Sequence, residues 1–182
     1  SKEISALIHL NGWSHLKTRY LPAILHNTPE KITKQLRINL QIAQTKFSKI
    51  FIGYADCGTG GEIDSMLDEF RVQRLPGVHC YEFYSGKQTF AEIMDEEPGS
   101  FFLTDFLVEA FEKLVWQGMK IDRNPELLQV YFKHYKKLVY LGQTENSELQ
   151  TQAKEIARRL GLKYDYHFTG YGKLKPALSA LS

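Results

Sequence analysis

The stretch FIGYADCGTGGEID, residues 51–64, limits what this chain can fold into more than any other. An apolar run through Ile50, Phe51, Ile52, Tyr54 and Ala55 stops at Asp56-Cys57-Gly58-Thr59-Gly60-Gly61. It gives way to a helical pattern with Ile63, Met66 and Leu67 on one face. A strand, a glycine loop and a helix start in that order are the opening of a strand–helix–strand unit. Both cysteines of the protein, Cys57 and Cys80, lie in this stretch and in the LPGVHCYEF segment, residues 75–83, that follows it.

The rest of the chain repeats the alternation. A short amphipathic helix through Ile4, Leu7 and Ile8 ends at Asn11-Gly12, and residues 15–25 read as extended, with Pro22 marking an edge or a bulge. Thr28 as N-cap, Pro29 at the first helical position and Glu30 near the positive dipole end open a helix over residues 29–46. Residues 49–55 form the second strand, Glu62–Phe70 the helix that crosses back, and residues 72–75 a short third strand. Pro76-Gly77 breaks that strand before an extended Val78-His79-Cys80. Helix follows over residues 87–94, then an apolar piece at residues 101–103, and Thr104 caps a long helix to residue 116 that Gly118 ends. Residues 127–134 are helical, residues 137–141 are a buried strand, and the helix Ser147–Leu160 is closed by Gly161. A strand over residues 164–168 and a short helix over residues 174–181 complete the chain. The expectation is a single α/β domain over residues 1–182: three layers, a mainly parallel sheet with helices on both faces, Rossmann-like, with two pseudo-equivalent halves joined around the helix after Thr104.

Charge and composition exclude several classes. With 23 basic against 21 acidic residues the net charge is +2, which gives no basic field for a phosphate backbone, so nucleic acid is not an expected partner. No apolar run reaches the ~20 residues of a membrane helix, and the opening SKEISALIHL is too short and too polar for a signal peptide. No membrane association and a cytoplasmic location are expected. Two cysteines are too few for a disulfide framework, so both are expected as reduced thiols.

In an open α/β sheet, ligands bind beyond the carboxyl ends of the strands. What leaves those ends here is His26-Asn27, Asp56-Cys57-Gly58, His79-Cys80, Gln143-Thr144 and Thr169-Gly170. Cys57 precedes a helix that begins after glycines, where free N–H groups and the dipole favour an anion and a thiolate. The alternative is a small cysteine packed under the loop. Asp56, Gly58, Thr59, Gly60 and Gly61, with Thr169 and Gly170, are the candidate cofactor-binding residues. There is no Walker lysine and no dinucleotide fingerprint, so the glycines also fit a tight turn with positive φ. Cys57, His79, Cys80 and His26 are the candidate metal ligands, a donor set that zinc accepts. Cys57 as nucleophile and His79 as its base are the candidate catalytic pair of a metal-free enzyme. His9, His15, His134 and His167 read as surface or core-edge histidines.

The segments LPAILHNTPEKI (residues 21–32), GYADCGTGG (53–61), LPGVHCYEFYSG (75–86), EEPGSFFLTDF (96–106) and FTGYG (168–172) resemble a prokaryotic family, domain of unknown function 1638. Members of that family begin with a further strand ending in Cys-Gly. The resemblance therefore implies a third cysteine of the site upstream of Ser1. It also implies an association with corrinoid-dependent methyl transfer and one-carbon metabolism, with a small-molecule ligand, a corrinoid or a corrinoid protein as partner. Three functions are compatible with these residues: a metal-binding protein, zinc being the expected metal, in methyl-group metabolism; a metal-free enzyme built on Cys57; and a non-catalytic module holding a small ligand over the glycine loop.

Overall fold

In the computed structural model, residues 2–56, 58–75 and 77–179 are described. They form a mainly parallel α/β fold that divides into two compact units, residues 1–83 with 173–182, and residues 84–172.

The first unit contains α1 (Lys2–Leu10), a 3-10 helix (Ala23–Asn27), α2 (Glu30–Gln44), β1 (Phe51–Ile52), α3 (Glu62–Phe70), β2 (Gln73–Arg74), α4 (Cys80–Ser85) and α9 (Leu174–Ser179). β1 and β2 pair in parallel, Phe51 opposite Gln73 and Ile52 opposite Arg74. The apolar stripe of α2 (Ile32, Leu36, Leu40) and that of α3 (Ile63, Met66, Leu67) share one buried cluster with Ile52. This is the packing that the helical spacing of those residues calls for.

The second unit holds α5 (Lys87–Glu96), β3 (Ser100–Thr104), α6 (Asp105–Glu109), a π-helical segment (Glu112–Gln117), α7 (Leu127–Phe132), β4 (Lys137–Gly142), α8 (Ser147–Leu160) and β5 (Lys163–Phe168). Its sheet is parallel throughout, in the order β3-β4-β5. Leu103, Leu138 and Tyr140 pack on one face with Val108, Phe111, Ala153 and Ile156 of the helices. On the other face, the Phe90 ring of α5 lies 5.3 Å from that of Phe102. β4 is buried on both faces, as its uninterrupted apolar run requires.

Four expectations are corrected. Residues 15–25 contain no strand; Pro22 (φ −57°, ψ 128°) leads into the 3-10 helix instead, and Ile24 stays 45% exposed with no sheet partner to cover it. The cap position of α2 is Pro29, and no side chain caps it, so Thr28 does not act as N-cap. Val78-His79-Cys80 is not extended: the Glu82 carboxylate accepts the Val78 N–H at 3.1 Å and turns the chain into α4, which starts at Cys80. The long helix after Thr104 stops at Glu109 and resumes as the π-helical segment, which Gly118 does close as its C-cap, in a right-handed conformation (φ −60°); the residue with positive φ beyond it is Lys120 (61°). The apolar piece at residues 101–103 is part of β3, an edge strand of the sheet.

Candidate functional site

The segments that leave the carboxyl ends of β1 and β2 meet. Leu75 N–H donates to Ile52 O at 3.0 Å, continuing the ladder, and Asp56 N–H donates to Gly77 O at 3.4 Å. A third segment joins them from the start of α2: a Cβ on Gly58 would lie 3.7 Å from Pro29 Cγ. The His26 ring stacks on Tyr54 with centroids 5.6 Å apart, and His26 Nδ1 lies 3.0 Å from Ala23 O. His26 thus comes beside the exit of β1 from a 3-10 helix and not from a strand. Beyond Gly77, the His79 and Tyr81 rings are 6.3 Å apart, and Cys80 lies half-buried in the first turn of α4.

Gly58, Gly60 and Gly61 all have positive φ, 84°, 63° and 87°. The amides so presented are directed inward. Asp56 Oδ1 accepts from Gly61 N at 2.8 Å and Asp56 Oδ2 from Gly60 N at 3.2 Å, while the Thr59 hydroxyl donates to Asp56 Oδ1 at 2.7 Å. The anion at the mouth of α3 is therefore the protein's own carboxylate. These bonds, that of Thr59 first and then those of Gly61 and Gly60, hold the Asp56 carboxyl below its ordinary range against the opposing effect of burial. A carboxylate whose folded pKa is depressed contributes stability above its unfolded value of 3.8, and that contribution is lost as pH falls through the lower folded value. Asp56→Asn is accordingly expected to flatten the acid limb of stability below about pH 4, read from urea denaturation at a series of pH values. An unchanged limb would mean that these bonds are not made in solution.

Sequence reasoning missed Arg74. Its guanidinium makes a paired bond to Asp64, 2.6 Å from Nε and 2.8 Å from Nη2, and Nη1 donates to Leu75 O and Gly77 O at 2.6 and 3.0 Å. Gly77 O thus accepts from both Arg74 and Asp56, so one side chain ties the helix of one loop to the backbone of the other. The available signal was an arginine in a two-residue strand directly before Leu-Pro-Gly. The same arginine depresses the Asp64 carboxyl.

Cys57, the residue on which the metal and nucleophile readings both turn, lies outside the described residues, and so does the expected separation between Cys57 and His79 or Cys80. Among the described residues, no three His, Cys, Asp or Glu side chains converge as a metal ion requires. Thr169 and Gly170 belong to the second unit, where Thr169 Oγ1 donates to Gly142 O at 3.2 Å and Gly170 has a φ of 54°. Beside Gly60 and Gly61, the outer faces of α2 and α3 frame a shallow hollow of about 390 Å3 bordered by Thr33, Arg37 and Glu62. No helix among the described residues is long and apolar enough to cross a membrane.

No curated protein and no solved structure matches the chain. The model of one family does match, over residues 20–178, and this chain accordingly belongs to the family described as protein of unknown function DUF1638.

Proposed function

We propose that the first unit is a cytoplasmic metal-binding module, with a Cys/His site at the carboxyl edge of β1 and β2 that serves methyl-group or one-carbon metabolism. The observation that carries this reading is the hydrogen bond from Asp56 N to Gly77 O. It joins the segment that runs into Cys57 to the loop that leads into Cys80 at the start of α4, at the edge of a parallel pair where ligands of α/β proteins bind. Cys57 with Cys80 or His79 would supply the ligands, His26 lies alongside, and two thiols with two imidazoles are a donor set suited to zinc. Zinc so held would supply one chemistry, the activation of a bound substrate thiol as thiolate. Asp56, Thr59 and Arg74 act on the protein side, fixing the conformation of the two loops from which the ligands project. The setting in corrinoid-dependent methyl transfer rests on the family resemblance.

The test is the transition-metal content of the full chain purified without oxygen, with Cys57→Ser and Cys80→Ser beside it. Near one equivalent of metal, lost in both variants, is expected. Less than about a tenth of an equivalent in the parent protein would overturn the metal reading. The hollow beside Gly60 and Gly61 favours a second reading, a small-ligand module without a metal.

A further inference from the structure

The amino ends of β1 and β2, opposite the edge just described, open on a cavity of about 540 Å3 whose lining includes Gln44, Phe47, Lys49, Phe70, Arg71 and Gln73. That volume is ample for a small molecule. Gln44 Nε2 donates to Phe70 O at 3.0 Å and ties the end of α2 to the end of α3, closing one wall. Phe47 is 46% exposed, an aromatic surface that the fold leaves in contact with water.

Arg71 and Lys49 supply the charge. The neighbouring arginines of α2 and β2 are committed elsewhere, Arg37 to Glu69 and Arg74 to Asp64. Among the described residues, no carboxylate pairs with Lys49 or Arg71. Arg71 also occupies the left-handed C-cap of α3 with a φ of 54°, a conformation that glycine adopts without strain and most side chains do not. The cap itself is complete through the backbone, with Arg71 N donating to Asp68 O at 3.2 Å and Val72 N to Leu67 O at 3.1 Å. Ending the helix therefore gives no reason for an arginine in place of glycine. Cations near helix C-termini are stabilising in their own right, and the test must separate that role from ligand binding.

We propose that this cavity binds a small ligand that joins a planar ring to an anionic group, the ring against the exposed Phe47 and the anion on Lys49 and Arg71. Stacking on an exposed aromatic face and the planar donor fork of arginine are the two recognition modes this lining offers. A nucleotide and an aromatic carboxylate share that chemistry. The site lies at the other edge of the strand pair from the proposed metal site and does not depend on it.

The experiment is calorimetric titration of the full chain with adenosine monophosphate, with phenylacetate, and with inorganic phosphate and adenosine as single-moiety probes. One of the two-part ligands is expected to bind saturably, and about tenfold or more tighter than either single moiety; which one it is assigns the anion as phosphate or carboxylate. In Arg71→Gly the backbone keeps its preferred conformation, so the fold is retained, and affinity is expected to fall at least about tenfold. Lys49→Gln is expected to do the same. The proposal is overturned if neither two-part ligand saturates by about 10 mM, a concentration well above the reach of specific small-ligand sites. It is equally overturned if binding survives unchanged in Arg71→Gly and Lys49→Gln, or if phosphate alone binds as tightly as the nucleotide. A loss of thermal stability in Arg71→Gly with binding unchanged would assign the arginine to the helix dipole alone.

Discussion

Asp105→Ala is expected to destabilise the protein by about 3–5 kcal/mol, close to the effect of breaking a buried charged network. Asp105 is 7% exposed at the start of α6, and its two oxygens accept four hydrogen bonds. Oδ1 takes the Tyr140 hydroxyl at 2.6 Å and Gln143 N at 3.0 Å, and Oδ2 takes Thr144 N at 2.9 Å and the Thr144 hydroxyl at 2.6 Å. In return, Gln143 Oε1 accepts the Asp105 N–H at 2.9 Å. Removing the carboxylate strands two backbone N–H groups and a phenol that is fully buried on β4. Burial, and after it Asp105, pushes that phenol's pKa up, so Tyr140 stays protonated and remains a donor throughout the working pH range. Asp105→Asn separates hydrogen bonding from packing. It has the same size, but either orientation of the amide turns its NH2 toward two donors, so most of the loss should persist. Denaturant unfolding followed by circular dichroism measures both variants. An asparagine variant within about 1 kcal/mol of the parent would show that the network is not what holds β4 to α6.

This network shows where reading the sequence stops. Thr104 was legible as the N-cap of a helix, and its hydroxyl does accept the Leu107 N–H at 3.4 Å. Asp105 then reads as a first-turn acid of ordinary kind, because its partners lie 35 to 39 residues away on another strand and its exit loop. Elements fixed by near neighbours were legible to the residue. α8 runs from Ser147 to Leu160 because its apolar positions, Leu149, Ala153, Ile156, Ala157 and Leu160, keep helical spacing and Gly161 ends it at a φ of 70°. α3 was bounded just as closely by the glycines before it. Residues 78–80 show the converse. Valine, histidine and aromatic neighbours favour a strand, yet one carboxylate, Glu82, reaching back to Val78 decides for a helix. The proposed site follows the same division. The glycine loop with its positive φ angles and the meeting of the segments that leave β1 and β2 could be anticipated from the strand–loop–helix pattern. The owner of the loop's amides, Asp56, and the tie through Arg74 could not, since each depends on which side chain bends back onto which backbone.

Ile63→Ala is expected to lower stability by about 2–4 kcal/mol, and Ile63→Val by about 1 kcal/mol, a gradient that tests how α3 is anchored under the glycine loop. Ile63 is the second residue of α3 and has no exposed surface. It sits in the cluster that α2 and α3 form with Ile52, among Ile32, Leu36 and Met66. Truncation to alanine removes buried apolar surface and leaves a void that the neighbouring helix closes only in part. The higher helix propensity of alanine offsets about 0.4 kcal/mol of that loss. The position gives the variant a second consequence. Gly60 and Gly61, whose amides Asp56 holds, stand just before α3, so the first turn of the helix is fixed from above by the carboxylate and from below by Ile63. Loosening the lower anchor should raise amide exchange at residues 60–66 more than in α2, which keeps its own contacts through Leu36 and Leu40. Equal increases in both helices would mean that they open as one body, and a loss below about 1 kcal/mol in Ile63→Ala would mean that the cluster is not close-packed around this side chain.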